Sequence, residues 1–375
     1  MSDADLDLTS GLPPMDVAGR TTRLLALLDG AGCDVLLVTN LVDVRYLTGF
    51  TGSAGVLVVT PGGSTLVSDG RYRAQAAEQV AASGAPAVVG ISPTQAGQRR
   101  LVTDAVGSAS RIGLQAAHVS WAAQRSHAAE CSPHAALVPT EGLLEGLRAV
   151  KDEGELARLR AAAAIADAAL AATRPLLARR PTERAFSLAL DQEVRRLGAD
   201  DVSFETIVGS GPNGAKPHAR PSGRVVEQGD LVVIDFGALV DGYHSDMTRT
   251  LGVGEPTPTQ RRMLDVVLAS QAAGVAAVAP GVACSEIDRA CRDVIAEAGW
   301  GDAFLHGTGH GVGLDIHEGP PVSATSAATL VAGHVVTVEP GVYLPEHGGV
   351  RIEDTVIVTQ GGSRPITLAP KTIAP

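Results

Sequence analysis

The stretch Leu231-Val-Val-Ile-Asp-Phe-Gly-Ala-Leu-Val-Asp-Gly-Tyr-His-Ser-Asp246 decides how this chain is read. Its first half is an apolar run, which predicts a buried strand ending near Asp235. Asp241-Gly242 is a strong signal for a two-residue hairpin turn. With the turn at those residues, Asp246 falls opposite Gly237. Side chains alternate along a strand, so Asp235 and Asp246 point to one face as diagonal cross-strand neighbours. Two carboxylates on an apolar strand pair repel each other and lose hydration, and a bound divalent cation offsets both costs.

Further candidate ligands lie downstream. His310 stands in Leu305-His-Gly-Thr-Gly-His-Gly-Val-Gly-Leu-Asp-Ile-His-Glu318, Glu339 in Val335-Val-Thr-Val-Glu-Pro-Gly341, and Glu353 in Gly349-Val-Arg-Ile-Glu-Asp354. Four carboxylates carry four negative charges, which two divalent ions balance. An oxygen-rich shell with one imidazole suits hard to borderline ions, manganese first, with cobalt, zinc or iron(II) as alternatives. Any one of these residues alone is weak evidence, because an Asp beside a hairpin is usually turn chemistry and a Glu at a strand end is usually solvated. The five together, each in a Gly- or Pro-marked strand setting, are a strong signal.

The ordered set Asp235, Asp246, His310, Glu339 and Glu353 resembles the ligands of the pita-bread metallopeptidases, the group of aminopeptidase P, prolidase and methionine aminopeptidase. The likeness is dense from about residue 150 to 365. Ahead of it, Asp43-Val-Arg-Tyr-Leu-Thr-Gly-Phe-Thr-Gly-Ser-Ala-Gly55 and Asp69-Gly-Arg-Tyr72 resemble the creatinase-like amino-terminal domain of the proline-specific members. The resemblance implies an α+β chain: a creatinase-like α/β domain over residues 1–150, then a pita-bread catalytic domain over 151–375.

Length and composition agree with two domains. At 375 residues the chain exceeds the size at which one core usually stops growing. Hydrophobic residues make up 45%, ample for burial, and the net charge of −11 contains no long basic run. That balance argues against nucleic acid or an anionic membrane surface as partner. Cys33, Cys131, Cys284 and Cys291 show no zinc or redox spacing and read as thiols in a reducing compartment. The acidic start, Met1-Ser-Asp-Ala-Asp-Leu-Asp, lacks the pattern of a signal peptide, and Asp167 breaks the apolar Ala161–Ala172 stretch. A cytoplasmic location is expected.

Strand and helix signals alternate up to about residue 140. An Ala-rich helix is expected from Glu155 to about Leu176, and Pro181-Thr-Glu-Arg opens another. From Asp201 the chain is β-rich, with helices near 258–279 and 284–298 and strands at 335–343 and 350–359. Other chemistries fit poorly. His306-Gly-Thr-Gly-His310 lacks the third glycine of a dinucleotide fingerprint, with Val at 312. No HExxH and no G-x-S-x-G motif occurs.

The resemblance assigns further roles. His218, in Lys216-Pro-His-Ala219, matches a histidine that contacts substrate and stabilises the tetrahedral intermediate; His317 matches one that binds substrate and handles protons; His306 matches a residue lining the proline pocket. Imidazoles beside metals can donate to a developing oxyanion. His244, beside the hairpin, reads as structural. Arg351 and Glu353, two apart on an expected strand, share a face, so Arg351 is expected to orient that carboxylate as well as line the substrate site. Asp235 should bind one ion, Asp246 and Glu353 should bridge, and His310 and Glu339 should complete the other ion, with Glu339 accepting the water proton.

Two activities divide the proline-specific branch. Asp43 matches an acidic residue that meets the substrate amine in aminopeptidases P, and Arg71 matches an arginine lining their site. Several prolidases carry an arginine in the stretch matching His317-Glu-Gly-Pro-Pro321, where this chain has Pro321. An Xaa-Pro aminopeptidase is therefore favoured. The alternative is an Xaa-Pro dipeptidase using Arg45 or Arg71 for the carboxylate, and the third reading is an inactive binding module. The expected partners are a proline-containing peptide and a second copy of the chain in a homodimer.

Overall fold

A computed structural model describes residues 8–131 and 133–373, without the side chain of Cys131. The chain divides into two compact units. One runs over Met15–Arg148, and the other joins Ala149–Pro375 to the described part of Met1–Pro14. Residues 8–14 therefore pack with the second unit, although they precede the front unit in sequence.

The front unit holds a six-stranded mixed sheet of β1 (Val35–Val38), β2 (Val56–Thr60), β3 (Gly63–Ser68), β4 (Ala87–Ile91), β5 (Arg111–Gln115) and β6 (Ala136–Thr140) in the order β4-β3-β2-β1-β5-β6. The β1–β2–β3 ribbon is antiparallel, while β4, β5 and β6 each join in parallel. Parallel joins need long crossovers. The helices Arg73–Ser83 and Gln95–Val106 supply two of them.

In the second unit the long Ala-rich helix spans Glu153–Thr173, opened by a capping box in which Asp152 and Glu155 satisfy each other's backbone amides. This helix is long and apolar enough to cross a membrane by length and composition. Leu159, Ile165, Ala166 and Leu170 are instead buried in a core. Asp167, the residue that interrupts its apolar run, accepts the backbone amides of Leu368 and Ala369. The helix Glu183–Arg196 follows, with Phe186, Leu190 and Val194 in the same core. Pro258–Ala277 and Cys284–Glu297 pack into a second core with Val336, Val338, Val350 and Val356.

The strands of this unit are β7 (Asp201–Val202), β8 (Ile207–Ser210), β9 (Leu231–Phe236), β10 (Ala238–Val240), β11 (Tyr243–His244), β12 (Met247–Gly252), β13 (Gly309–Gly311), β14 (Glu318–Val322), β15 (Val335–Val338), β16 (Gly341–Leu344), β17 (Gly348–Arg351), β18 (Asp354–Thr359) and β19 (Gly362–Pro365). They form the sheets β11-β10-β7, β12-β9-β8 and β14-β13-β15-β18-β19, plus the hairpin β16-β17. This is the expected α+β arrangement. The strands read as continuous over 335–343 and 350–359 are each broken, at Glu339-Pro340 and at Ile352-Glu353. Pro340 cannot donate to a ladder, which explains the first break. At the second, the Glu353 amide turns to the Thr248 carbonyl at 3.1 Å.

Candidate metal centre

The hairpin forms as its sequence dictates. Asp241 and Gly242 both take positive φ, 46° and 75°, as a tight hairpin turn requires. Val240 pairs with Tyr243 and Leu239 with His244, and beyond a kink Phe236 pairs with Met247 and Asp235 with Thr248. One register runs through both ladders, so Asp246 lies opposite Gly237. The kink needs glycine there, because a Cβ on Gly237 would come within 1.8 Å of the Ser245 carbonyl oxygen.

The five expected ligands come together at strand ends. Asp235 is the penultimate residue of β9, Asp246 precedes β12, His310 is central in β13, Glu339 follows β15 and Glu353 precedes β18. Ligand oxygens of Asp235, Asp246 and Glu353 lie within 4.8 Å of one another. His310 Nε2 is 3.5 Å from Asp246 and 3.4 Å from Glu339. His310 Nδ1 contacts the Gly311 carbonyl at 2.9 Å. A carbonyl only accepts, so Nδ1 carries a proton and Nε2 is the ring atom turned to the carboxylates.

Electrostatics and hydrogen bonding point the same way. Burial, then the charges of Glu353 and Asp235, push the Asp246 carboxyl well above the usual carboxylate range. Burial and the charge of Glu339 do the same to Glu353. Burial also raises Asp235, against the pull of Arg351. Burial works to raise Glu339, but its hydrogen bond to His310 and that residue's charge prevail and lower it. Asp235 Oδ1 and Glu353 Oε1 are buried without a hydrogen-bond partner. Buried polar atoms are almost always satisfied. Two orphaned carboxylate oxygens among four acidic groups therefore fit divalent cations, held by Asp235, Asp246, His310, Glu339 and Glu353.

Neighbouring hydroxyls and arginines fix these ligands. Thr248 Oγ1 donates to Glu353 Oε2 at 2.7 Å, and Thr337 Oγ1 to Glu339 Oε1 at 3.2 Å. Arg249 holds the Glu353 carbonyl and, at 2.9 Å, the Asp354 carboxylate. Arg351 departs from expectation. Its Nη2 bonds Asp235 Oδ2 at 2.5 Å, its Nε donates to Thr248 Oγ1 at 3.0 Å, and its Nη1 donates to Tyr343 and to the Pro217 carbonyl. It reaches Glu353 only through Thr248, because the strand break removes the shared face. Arg351 lines the cavity as expected, but four of its five N–H groups are spent on protein, so what the structure shows of it is support of Asp235.

A cavity of about 280 Å³ opens over the cluster, lined also by Phe204, Ile207, His218, His306, Ile316 and His317. His306 accepts from Tyr343 at Nε2 and contacts its neighbour's carbonyl through Nδ1, and burial lowers its pKa. His317 is exposed and packs edge-on against His310, with ring centroids 4.4 Å apart. Burial and the charge of His310 lower its pKa. His218 is exposed at the cavity wall. His244 hydrogen-bonds Ser203 and lines no part of the cavity, in keeping with a structural role.

Two residues expected at the substrate lie in the front unit. Asp43 is fully buried; its Oδ1 accepts from Arg148 at 2.8 Å and its Oδ2 from Gln115 at 2.6 Å. Asp43 thus stands in a buried ion pair inside the front unit, which is a structural setting for a carboxylate. Arg71 is exposed and doubly bonded to Asp69. Sequence reasoning missed Thr248, Tyr343, Phe204 and Glu183. Glu183 is completely buried at the start of its helix and accepts from Ser210, Asn213 and Ser222, clasping both ends of the loop that carries His218. The cysteines Cys33, Cys284 and Cys291 are free and buried, and the Cys131 side chain falls outside the described residues.

Comparison with known proteins agrees with this geometry. Residues 157–360 match metallopeptidase family M24, and residues 20–150 match the creatinase/prolidase N-terminal domain. An uncharacterised peptidase, YqhT, of Bacillus subtilis is 41% identical over 93% of this chain and 98% of its own length. The solved Xaa-Pro dipeptidase from Bacillus anthracis superposes with a TM-score of 0.91 at 37% identity, covering 96% of this chain and 99% of that one. The X-Pro aminopeptidase from Thermotoga maritima gives 0.85 at 31% identity, covering 95% and 99%. The five ligands at their strand ends and the full-length likeness lead to one assignment: this chain belongs to metallopeptidase family M24 and carries the creatinase/prolidase amino-terminal domain.

Proposed function

We propose that this metallopeptidase hydrolyses the bond preceding proline in Xaa-Pro dipeptides. The observation that carries the reading is the cavity itself. Asp235, Asp246, His310 and Glu339 form its floor, with Glu353 buried beneath them against Asp235 and Asp246, and Phe204, Ile207 and Ile316 with three further imidazoles form its walls. The oxygen-rich donor set suits two divalent ions, manganese foremost. When bound, such ions polarise the scissile carbonyl and lower the pKa of water. Glu339, which lines the cavity floor and is anchored by Thr337, accepts the proton of the attacking water and passes it to the departing proline nitrogen. His218 and His317 face the substrate from the wall and donate to the carbonyl oxygen as charge develops there. A homodimer is the assembly we expect.

Between the two proline-specific activities the balance has moved. The aminopeptidase reading depended on Asp43 pairing with a substrate amine, and Asp43 is closed within a buried ion pair. Similarity to the Bacillus anthracis Xaa-Pro dipeptidase supports the dipeptidase. The test is hydrolysis of Ala-Pro beside Ala-Pro-Ala with manganese present. Cleavage of the dipeptide alone supports the proposal, and comparable cleavage of the tripeptide returns the assignment to the aminopeptidase.

A further inference from the structure

A dipeptidase must recognise the substrate's terminal carboxylate, and the cations on the metal cavity's wall are already turned to its carboxylates. Arg351 is the arginine lining that cavity, and four of its five N–H groups are bound to protein, with its charge neutralised by Asp235. A second cavity of about 270 Å³ opens beside the first and shares Phe204, Ile207 and His218 with it. Its remaining walls are Glu205, Thr206, Arg220 and Pro221. The two cavities meet at His218, and Arg220 lies two residues further along the same loop.

We infer that Arg220 binds the C-terminal carboxylate of the substrate in this second cavity, an inference that rests on the proline-peptide reading above. With the scissile carbonyl at the carboxylate cluster, the proline ring lies on the leaving side, and its carboxylate is one residue, roughly 3–4 Å, further on. A neighbouring cavity that begins at His218 is therefore where that carboxylate arrives. A planar guanidinium matches a carboxylate through two parallel hydrogen bonds. The Arg220 side chain is 83% exposed and paired with Glu205 at 3.4 Å, itself 66% exposed. Solvated pairs of that kind are weak, so a substrate carboxylate can displace Glu205. A third residue on the peptide would carry the terminal charge beyond Arg220, which gives the site its preference for dipeptides.

The experiment compares Ala-Pro with Ala-Pro amide on the manganese-loaded enzyme, in wild type, Arg220→Ala, Arg220→Lys and Glu205→Gln. Removing one charged partner of a partly solvated pair should lower kcat/KM for the free acid about tenfold more than for the amide, mostly through KM. Arg220→Lys should recover part of that ratio. Glu205→Gln should lower KM for the acid, because Arg220 then has no competitor. An acid-to-amide ratio unchanged in Arg220→Ala, with wild type active on Ala-Pro, overturns the inference alone. A wild-type enzyme that hydrolyses neither compound overturns the proline-peptide reading and this inference with it.

Discussion

The Arg351 guanidinium holds one oxygen of Asp235 at 2.5 Å and leaves the other, Oδ1, buried without a partner. One oxygen is neutralised and oriented by protein, and the second is presented to whatever cation the cluster binds. The same guanidinium donates to Thr248, whose hydroxyl donates to Glu353, where Oε1 is again left over. Arg351 is thus the common support of two ligands on different strands.

Replacing Arg351 by Met should separate these functions. Removing one partner of a buried ion pair costs about 3–5 kcal/mol, because the other is left buried and charged. Supporting residues around a metal typically change affinity by about 10- to 100-fold. Calorimetric titration of the stripped variant with manganese should show that weakening. An affinity equal to wild type would remove Arg351 from the support of the metal centre.

Stripping the metal should give a distinctive pH dependence. In the cluster itself, Asp246 and Glu353 sit well above the ordinary carboxylate range, which is about 4 for an unfolded chain. Between those values the folded protein binds more protons than the unfolded one, so its stability falls as pH rises through that window. Glu353→Gln removes one such charge. The stripped variant should therefore melt above stripped wild type at neutral pH, and the gap should close as pH falls. The metal-loaded enzyme should behave oppositely, losing its added stability on acidification because protons compete with cations for the same oxygens. Stripped wild type that melts above the variant at neutral pH would contradict this account.

What the sequence disclosed follows from where the information lies. The Asp241-Gly242 turn and the alternation of β9 are local properties, and they placed Asp235 and Asp246 on one face with the observed register. The breaks at Glu339-Pro340 and Ile352-Glu353 were not legible as breaks. The second depends on a long-range bond from the Glu353 amide to the Thr248 carbonyl, 105 positions earlier in the chain. For the same reason Arg351 was assigned to Glu353. The burial of Asp43 was not legible because its partners, Gln115 and Arg148, are 72 and 105 residues away. A threonine such as Thr248 carries no local mark at all, and only the folded sheet shows that its hydroxyl lies between an arginine and a ligand.

Asp43→Asn tests the structural assignment of that residue. The variant keeps the shape but removes the charge opposite Arg148, which is buried with it. Thermal unfolding should show a loss of about 3–5 kcal/mol in the front unit. KM for Ala-Pro should stay near the wild-type value. A large rise in KM with unchanged melting would restore the substrate contact.

Glu183 makes a comparable prediction for the catalytic unit. Burial acts to raise its carboxyl, but hydrogen bonds from Ser222, Ser210 and Asn213 outweigh this and hold it low and ionised. Glu183→Gln exchanges one accepting oxygen for a donor that faces other donors. A buried mismatch of this kind costs about 1–3 kcal/mol. The loop it clasps carries His218 and the Pro217 carbonyl that accepts from Arg351, so kcat should fall as well. In a His218→Ala background the same change should cost little further activity. Independent, multiplicative losses in the double variant would show that Glu183 does not act through His218.

Glu339→Gln is the sharpest test of the reaction itself. Glu339 is the member of the cluster whose carboxyl is pulled below the usual range, against its burial, by His310. Thr337 fixes its Oε1, and its backbone amide is tied to the Thr308 carbonyl at 2.8 Å, so the side chain is held in place from both ends. The amide variant retains that anchoring and one coordinating oxygen but cannot accept a proton. Folding should persist, and turnover of Ala-Pro should fall by about 10²- to 10⁴-fold, the usual cost of losing a general base. Manganese binding should weaken far less than turnover, which calorimetry on the same preparation would show. Turnover near the wild-type rate would assign the proton to another group in the cavity, with His317 the next candidate by its position against His310.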